Sequence, residues 1–118
     1  GACLRDVTLS VIPPVVERGQ QARLVCQYDL ENANLYSVKY YRGSYEFFRY
    51  TASEKGNMPQ TKVFPIKGIN VDLSHSNATQ VVLTNVGHSL TGNVSCEVTT
   101  DRPFVMKVAR ARVTVVGE

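Results

Sequence analysis

The residues able to carry chemistry in this chain are its cysteines, Cys3, Cys26 and Cys96, the group Asp72, Ser74 and His75, a second histidine, His88, and the sequon asparagines Asn77 and Asn93. Asp72, Ser74 and His75 have the residue types of a nucleophilic triad. They fall within one polar turn, whereas a triad needs nucleophile and base to converge from different elements with a third group orienting the base. Chance composition is the better account, and no enzymatic activity is expected. His75 and His88 occupy separate turns, with no His/Cys/Asp cluster at metal-ligand spacing. No glycine-rich phosphate loop is present. Neither a metal nor a cofactor is expected.

Cys26 and Cys96 stand apart from this background. Each sits inside an alternating, β-branched stretch, Ala22-Arg23-Leu24-Val25-Cys26-Gln27-Tyr28 and Gly92-Asn93-Val94-Ser95-Cys96-Glu97-Val98. Such alternation is the period-2 mark of a half-buried strand. Two cysteines on the inner faces of two strands suggest a bridge between stacked sheets, and so an immunoglobulin-type sandwich built for recognition. Closing a loop of roughly 70 residues is worth about 4 kcal/mol by the chain-entropy estimate. The alternative is a pair of buried, reduced thiols. Cys3 is left over: it pairs with an absent segment or with another molecule, or it is free.

The elements that would position these residues are short and regularly spaced. Strands are expected over 7–11, 21–28, 36–42, 45–51, 61–64, 69–73, 79–83, 91–99 and 104–116. Residues 29–34 and 53–57 read as loops, and 101–103 as a tip. Pro13-Pro14 should stop the first ladder, since proline has no N–H to donate, and let the chain switch sheets. About nine strands with turns every 8–12 residues predict an all-β fold, a variable-type antiparallel Greek-key sandwich. The chain lacks the tryptophan that usually packs on the bridge, and Tyr40 takes its place. Val94 stands where a tyrosine corner would need its tyrosine, and Leu90 replaces an acidic residue.

The 118 residues suit one domain, expected to be the N-terminal piece of a larger ectodomain, with Gly1-Ala2 a cloning remnant. Charged residues make up 19% and the net charge is +3. The basic residues are scattered singly, which argues against a nucleic-acid or membrane patch. Lys107, Arg110 and Arg112 form the densest group; it is either a weak attractor of acidic glycosaminoglycans or a solvated sheet face. No apolar run approaches the ~20 residues that span a bilayer. The cysteines and the sequons at Asn77 and Asn93 suggest an extracellular, secreted or cell-surface setting.

The alternation also selects a face. On 36–42 the core set is Val38 and Tyr40, leaving Lys39 and Tyr41 outside. On 91–99 the outer set includes Glu97, and on 104–116 it includes Phe104, Met106, Val108 and Arg110, unless a bulge flips the upper half. Phe48 and Tyr50 are expected to extend this patch from the neighbouring strand. Exposed apolar surface with a charged rim marks a protein interface. The face belongs to the strands over 36–42, 45–51, 91–99 and 104–116, the C-C′-F-G sheet of a variable-type domain, with Arg42 a further specificity residue. The competing expectation is a soluble immune or pattern-recognition domain that binds through the loop tips at 29–34 and 99–102. Whether two copies pair through the face is left open.

Several stretches are more specific: Leu35-Tyr36-Ser37-Val38-Lys39-Tyr40-Tyr41-Arg42, Tyr45-Glu46-Phe47-Phe48-Arg49-Tyr50-Thr51, Lys62-Val63-Phe64-Pro65-Ile66-Lys67-Gly68-Ile69-Asn70-Val71-Asp72, Ser76-Asn77-Ala78-Thr79-Gln80-Val81-Val82-Leu83 and Ser95-Cys96-Glu97-Val98. Together they resemble the first immunoglobulin domain of the insect beaten path family of neuronal cell-surface and secreted proteins, over residues 4–116. Members more often read Val-Lys-Trp-Tyr where this chain has Val38-Lys39-Tyr40-Tyr41. The resemblance implies a role in axon guidance and synaptic partner choice, sidestep-family immunoglobulin proteins as partners, and a second immunoglobulin domain.

Overall fold

Strands form where β-branched and aromatic residues alternate with polar ones. In the computed structural model, which describes residues 3–52 and 57–118, they are β1 (Arg5–Ile12), β2 (Val15–Glu17), β3 (Ala22–Asp29), β4 (Asn34–Arg42), β5 (Tyr45–Thr51), β6 (Gln60–Val63), β7 (Asn70–Val71), β8 (Gln80–Thr84), β9 (Gly92–Asp101) and β10 (Val105–Val116). Gly1, Ala2 and most of the loop expected at 53–57 lie outside the described residues. The strands make two sheets, of order β1-β3-β8-β7 and β2-β10-β9-β4-β5-β6. Among the described residues no helix is long and apolar enough to cross a membrane.

Pro13 and Pro14 act as expected. β1 pairs with β3 in the first sheet, and after the prolines β2 pairs in parallel with β10 in the second. One continuous segment thus edges both layers. The strand expected over 69–73 is shorter. It ends at Val71 because the Asp72 carboxylate accepts from the Ser74 N–H and caps a single 3-10 turn, Leu73–His75. Leu73 lies in that turn and is exposed.

A disulfide joins Cys26 on β3 to Cys96 on β9 and so ties the two sheets together. Around it Leu24, Val38, Val81, Leu83, Val94, Val98 and Val113 are buried, as is Leu90. The missing tryptophan is replaced by three rings rather than one. Tyr40 is fully buried, with Phe47 and Phe48 tilted against it at centroid distances of 6.4 and 5.9 Å. Adjacent residues of a regular strand point to opposite faces. Here the register slips, pairing Tyr40 with Phe48 but Tyr41 with Glu46, so Phe47 is the extra residue of a bulge. That bulge lets two consecutive phenylalanines enter one core.

Candidate partner-binding face

β10 pairs with β9 without interruption from Val105↔Thr100 to Val113↔Gly92. No bulge flips its upper half, so the parity set by the buried Val113 extends through Ala111 and Ala109. Met106 and Val108 are therefore outside, with exposures of 54% and 36%, and Arg110 and Arg112 are exposed beside them. Phe104, expected to open the strand, lies in the turn just before β10 and is 74% exposed there.

Register carries the face across the sheet. Val108 pairs with Glu97, Glu97 with Lys39, Lys39 with Arg49 and Arg49 with Lys62. The row runs from apolar on β10 to cationic on β5 and β6. Lys39 Nζ lies 4.0 Å from Glu97 Oε1. The next row joins Arg110, Ser95, Tyr41 and Glu46. Burial, then the nearby Glu97 and Glu46 carboxylates, raise the Tyr41 phenol above its ordinary range, with Arg49 opposing. The phenol stays neutral at physiological pH, with its ring edge and hydroxyl on the outer side.

Phe48 and Tyr50 do not belong to this face. They pair with Tyr40 and Val38, whose side chains enter the core, and directly opposed residues share a side. Phe48 is fully buried, and Tyr50 packs partly buried against the core. What β5 presents outward is Glu46 and Arg49, joined by bonds of 2.8 and 2.9 Å from the guanidinium to the carboxylate. The Arg49 guanidinium is held above its ordinary value chiefly by that bond. Residues three apart in a regular strand point oppositely, so only the bulge at Phe47 brings this pair to one side. Arg49 and Lys62 also lie 5.3 and 5.0 Å from the centre of the Phe64 ring. Sequence reasoning missed Glu46, Arg49, Lys62 and Phe64 as a group. A further surprise is Ser37, directly opposite Thr99: both are buried although they share the outer side, and the Ser37 hydroxyl has no partner among the described residues.

Arg42 serves the scaffold. Its Nε donates to the Thr91 carbonyl, and its guanidinium covers Gly92, where an added Cβ would lie 2.7 Å from Cζ. Asn93 has the parity of Ser95 and Glu97, so a glycan there would stand at the lower edge of the face, opposite Arg112. Asn77 is exposed and accepts from the Thr79 N–H and hydroxyl. Cys3 is exposed and free.

Asp72, Ser74 and His75 do touch, but not as a triad. The Ser74 hydroxyl donates to Asp72 at 2.6 Å, and both groups approach the same imidazole nitrogen, Nδ1. A catalytic imidazole needs one nitrogen for the nucleophile and the other for the acid. Bonds from Ser74 and then His75 hold the Asp72 carboxyl below its usual range, as befits a capping residue. Among the described residues no group of three or more His, Cys, Asp or Glu could hold a metal.

Solved structures place this architecture. The chain superposes on murine CEACAM1b with a TM-score of 0.70 at 20% identity, over 94% of its own length and 54% of that chain. It matches domain 1 of VCBP3 from Branchiostoma floridae at 0.68 and 18% identity, over 96% of this chain and 98% of that one. It matches murine CRIg at 0.67 and 17% identity, over 96% and 100%. The fold is that of an immunoglobulin variable-type domain. The domain spans about half the length of the CEACAM1b chain. No protein-family model matches the sequence, and no curated protein does.

Proposed function

We propose that this immunoglobulin domain is an extracellular recognition module that binds another immunoglobulin-superfamily protein through the outer face of β10, β9, β4 and β5. The observation that carries this reading is the exposed stripe of Phe104, Met106 and Val108 beside the charged row of Glu97, Lys39 and Arg49. An apolar centre supplies affinity on desolvation, while the charges select and orient the partner. The same architecture appears in a structure of a mouse coronavirus receptor-binding domain complexed with its murine receptor, at a TM-score of 0.69 and 18% identity. The beaten path resemblance narrows the reading to axon guidance and synaptic partner choice, with a sidestep-family protein as partner and this domain as the N-terminal part of a longer ectodomain. Modification of Asn77, away from the face, is compatible with that role.

Surface plasmon resonance against a panel of sidestep-family ectodomains tests it. Binding is expected, and Met106→Glu or Val108→Glu should weaken it at least ~10-fold, as expected of residues at an interface centre. Binding that survives both substitutions and is lost on Arg102→Glu at the β9–β10 tip would move the site to the loops and refute the face. Absence of any immunoglobulin-superfamily partner would refute the proposal as a whole.

A further inference from the structure

The end of the sandwich where β10 finishes carries a second feature, away from the outer sheet face. A cleft of about 590 Å³ opens between the turn after β2, the turn before β7 and the connection from β8 to β9. Among the described residues its charged and titratable lining is Arg18, Lys67 and His88, and no carboxylate lines it. All three side chains belong to exposed residues, and none makes an ion pair among the described residues.

The backbone beneath these groups is held in place. The Gly87 N–H donates to the Gly68 carbonyl at 3.0 Å. A Cβ at Gly87 would lie 3.1 Å from the Gly68 Cα, and one at Gly68 would strike the Ser89 hydroxyl. Glycine at both positions is what lets the two loops meet. The Ser89 hydroxyl donates to the carbonyl of Lys67, and Asn70 Nδ2 donates to the carbonyls of Thr84 and Asn85. On the other side, the Arg18 N–H donates to Val116 and the Gly19 N–H to Val86, each at 2.8 Å. The three basic groups thus stand on ordered backbone, and ordering that backbone costs nothing when a ligand arrives.

We propose that this cleft binds a sulfated glycan chain. Among the described residues Arg18 and Lys67 are uncompensated cations, and His88 and Asn85 line the same cleft. Sulfate esters are permanent anions that accept from such donors. The cleft is an open trough with its cations on exposed rims, so a single small anion would keep most of its water there. A polymer that places successive sulfates on separate rims gains by multivalency what each contact lacks. The proposal rests on the extracellular setting argued above, but not on the sheet face.

The test is retention of the intact domain on immobilised heparin under a sodium chloride gradient, with a sulfated dodecasaccharide as competitor. Retention at about 0.15 M salt is expected, with elution at clearly lower salt for Arg18→Gln/Lys67→Gln and unchanged elution for Arg110→Gln/Arg112→Gln. Both pairs are exposed, and an unchanged melting temperature certifies the fold. Retention unaffected by the first pair, or abolished by the second, overturns the proposal. So does competition by inorganic phosphate, or by a single-stranded oligonucleotide of similar charge, that equals the dodecasaccharide. Because Met106→Glu leaves this cleft intact, loss of partner binding and loss of heparin retention separate the two sites.

Discussion

Replacing Tyr40 by phenylalanine should stabilise the domain. The side chain is fully buried, and its hydroxyl has no hydrogen-bond partner among the described residues. An unmade hydrogen bond of this kind costs about 1–3 kcal/mol. Phenylalanine keeps the ring in contact with Phe47 and Phe48 and leaves a void of about one oxygen atom, whose lost dispersion contacts are worth a few tenths of a kcal/mol. The net expectation is a gain of about 1–2 kcal/mol, an increase in melting temperature of roughly 3–8 °C for a domain of this size. Urea denaturation with the disulfide intact measures it, and the m-value should not change. Burial also drives the phenol far above its ordinary range, with a smaller push from Tyr28. The folded state keeps it neutral at pH values where the unfolded chain ionises, so wild type should lose stability above about pH 10 more steeply than the variant. A loss of more than about 1 kcal/mol at neutral pH would show that the hydroxyl is satisfied, by a buried water for example, and would refute the reasoning.

Removing the bridge by Cys26→Ala/Cys96→Ala should cost about 4 kcal/mol, since the separation is 70 residues; a loss of unfolding free energy under about 1 kcal/mol in urea denaturation would count against a chain-entropy role. Tyr28 donates to the Ala78 carbonyl at 2.7 Å, and burial, then Tyr50, pushes its phenol up to about 12 from the ordinary 10.0. A raised value in the folded state means its contribution is complete below pH 10 and is lost as pH rises toward 12. Tyr28→Phe should therefore be less stable than wild type at neutral pH by about 1 kcal/mol and have a flatter alkaline limb, followed by circular dichroism.

Much of the architecture was legible in the alternation. The stretches around Cys26, Val38 and Cys96 carry enough β-branched and aromatic residues in period 2 that no other element fits them. Pro13-Pro14 announced the change of sheet because a missing N–H is a local fact. The outward positions of Lys39, Tyr41 and Glu97 followed from the same parity, and those of Met106 and Val108 did so once the uninterrupted register ruled out a bulge. Parity failed on β5, where four aromatics in six residues leave no apolar–polar contrast to read. It failed again at Asp72, where a capping carboxylate competes with strand extension.

The sequence by itself therefore determined most of the strands and which two cysteines face each other. These depend on the alternation of side chains along an extended backbone, a property of each segment alone. Only the tertiary structure decided that no bulge flips the long last strand, that Phe47 and Phe48 both turn inward, that Glu46 and Arg49 reach one side, and that Arg18, Lys67 and His88 line one cleft from three loops. A bulge shifts parity by one residue to fill a core volume left open elsewhere, and loops converge through contacts distant in sequence. Neither cause is present in the segment it rearranges.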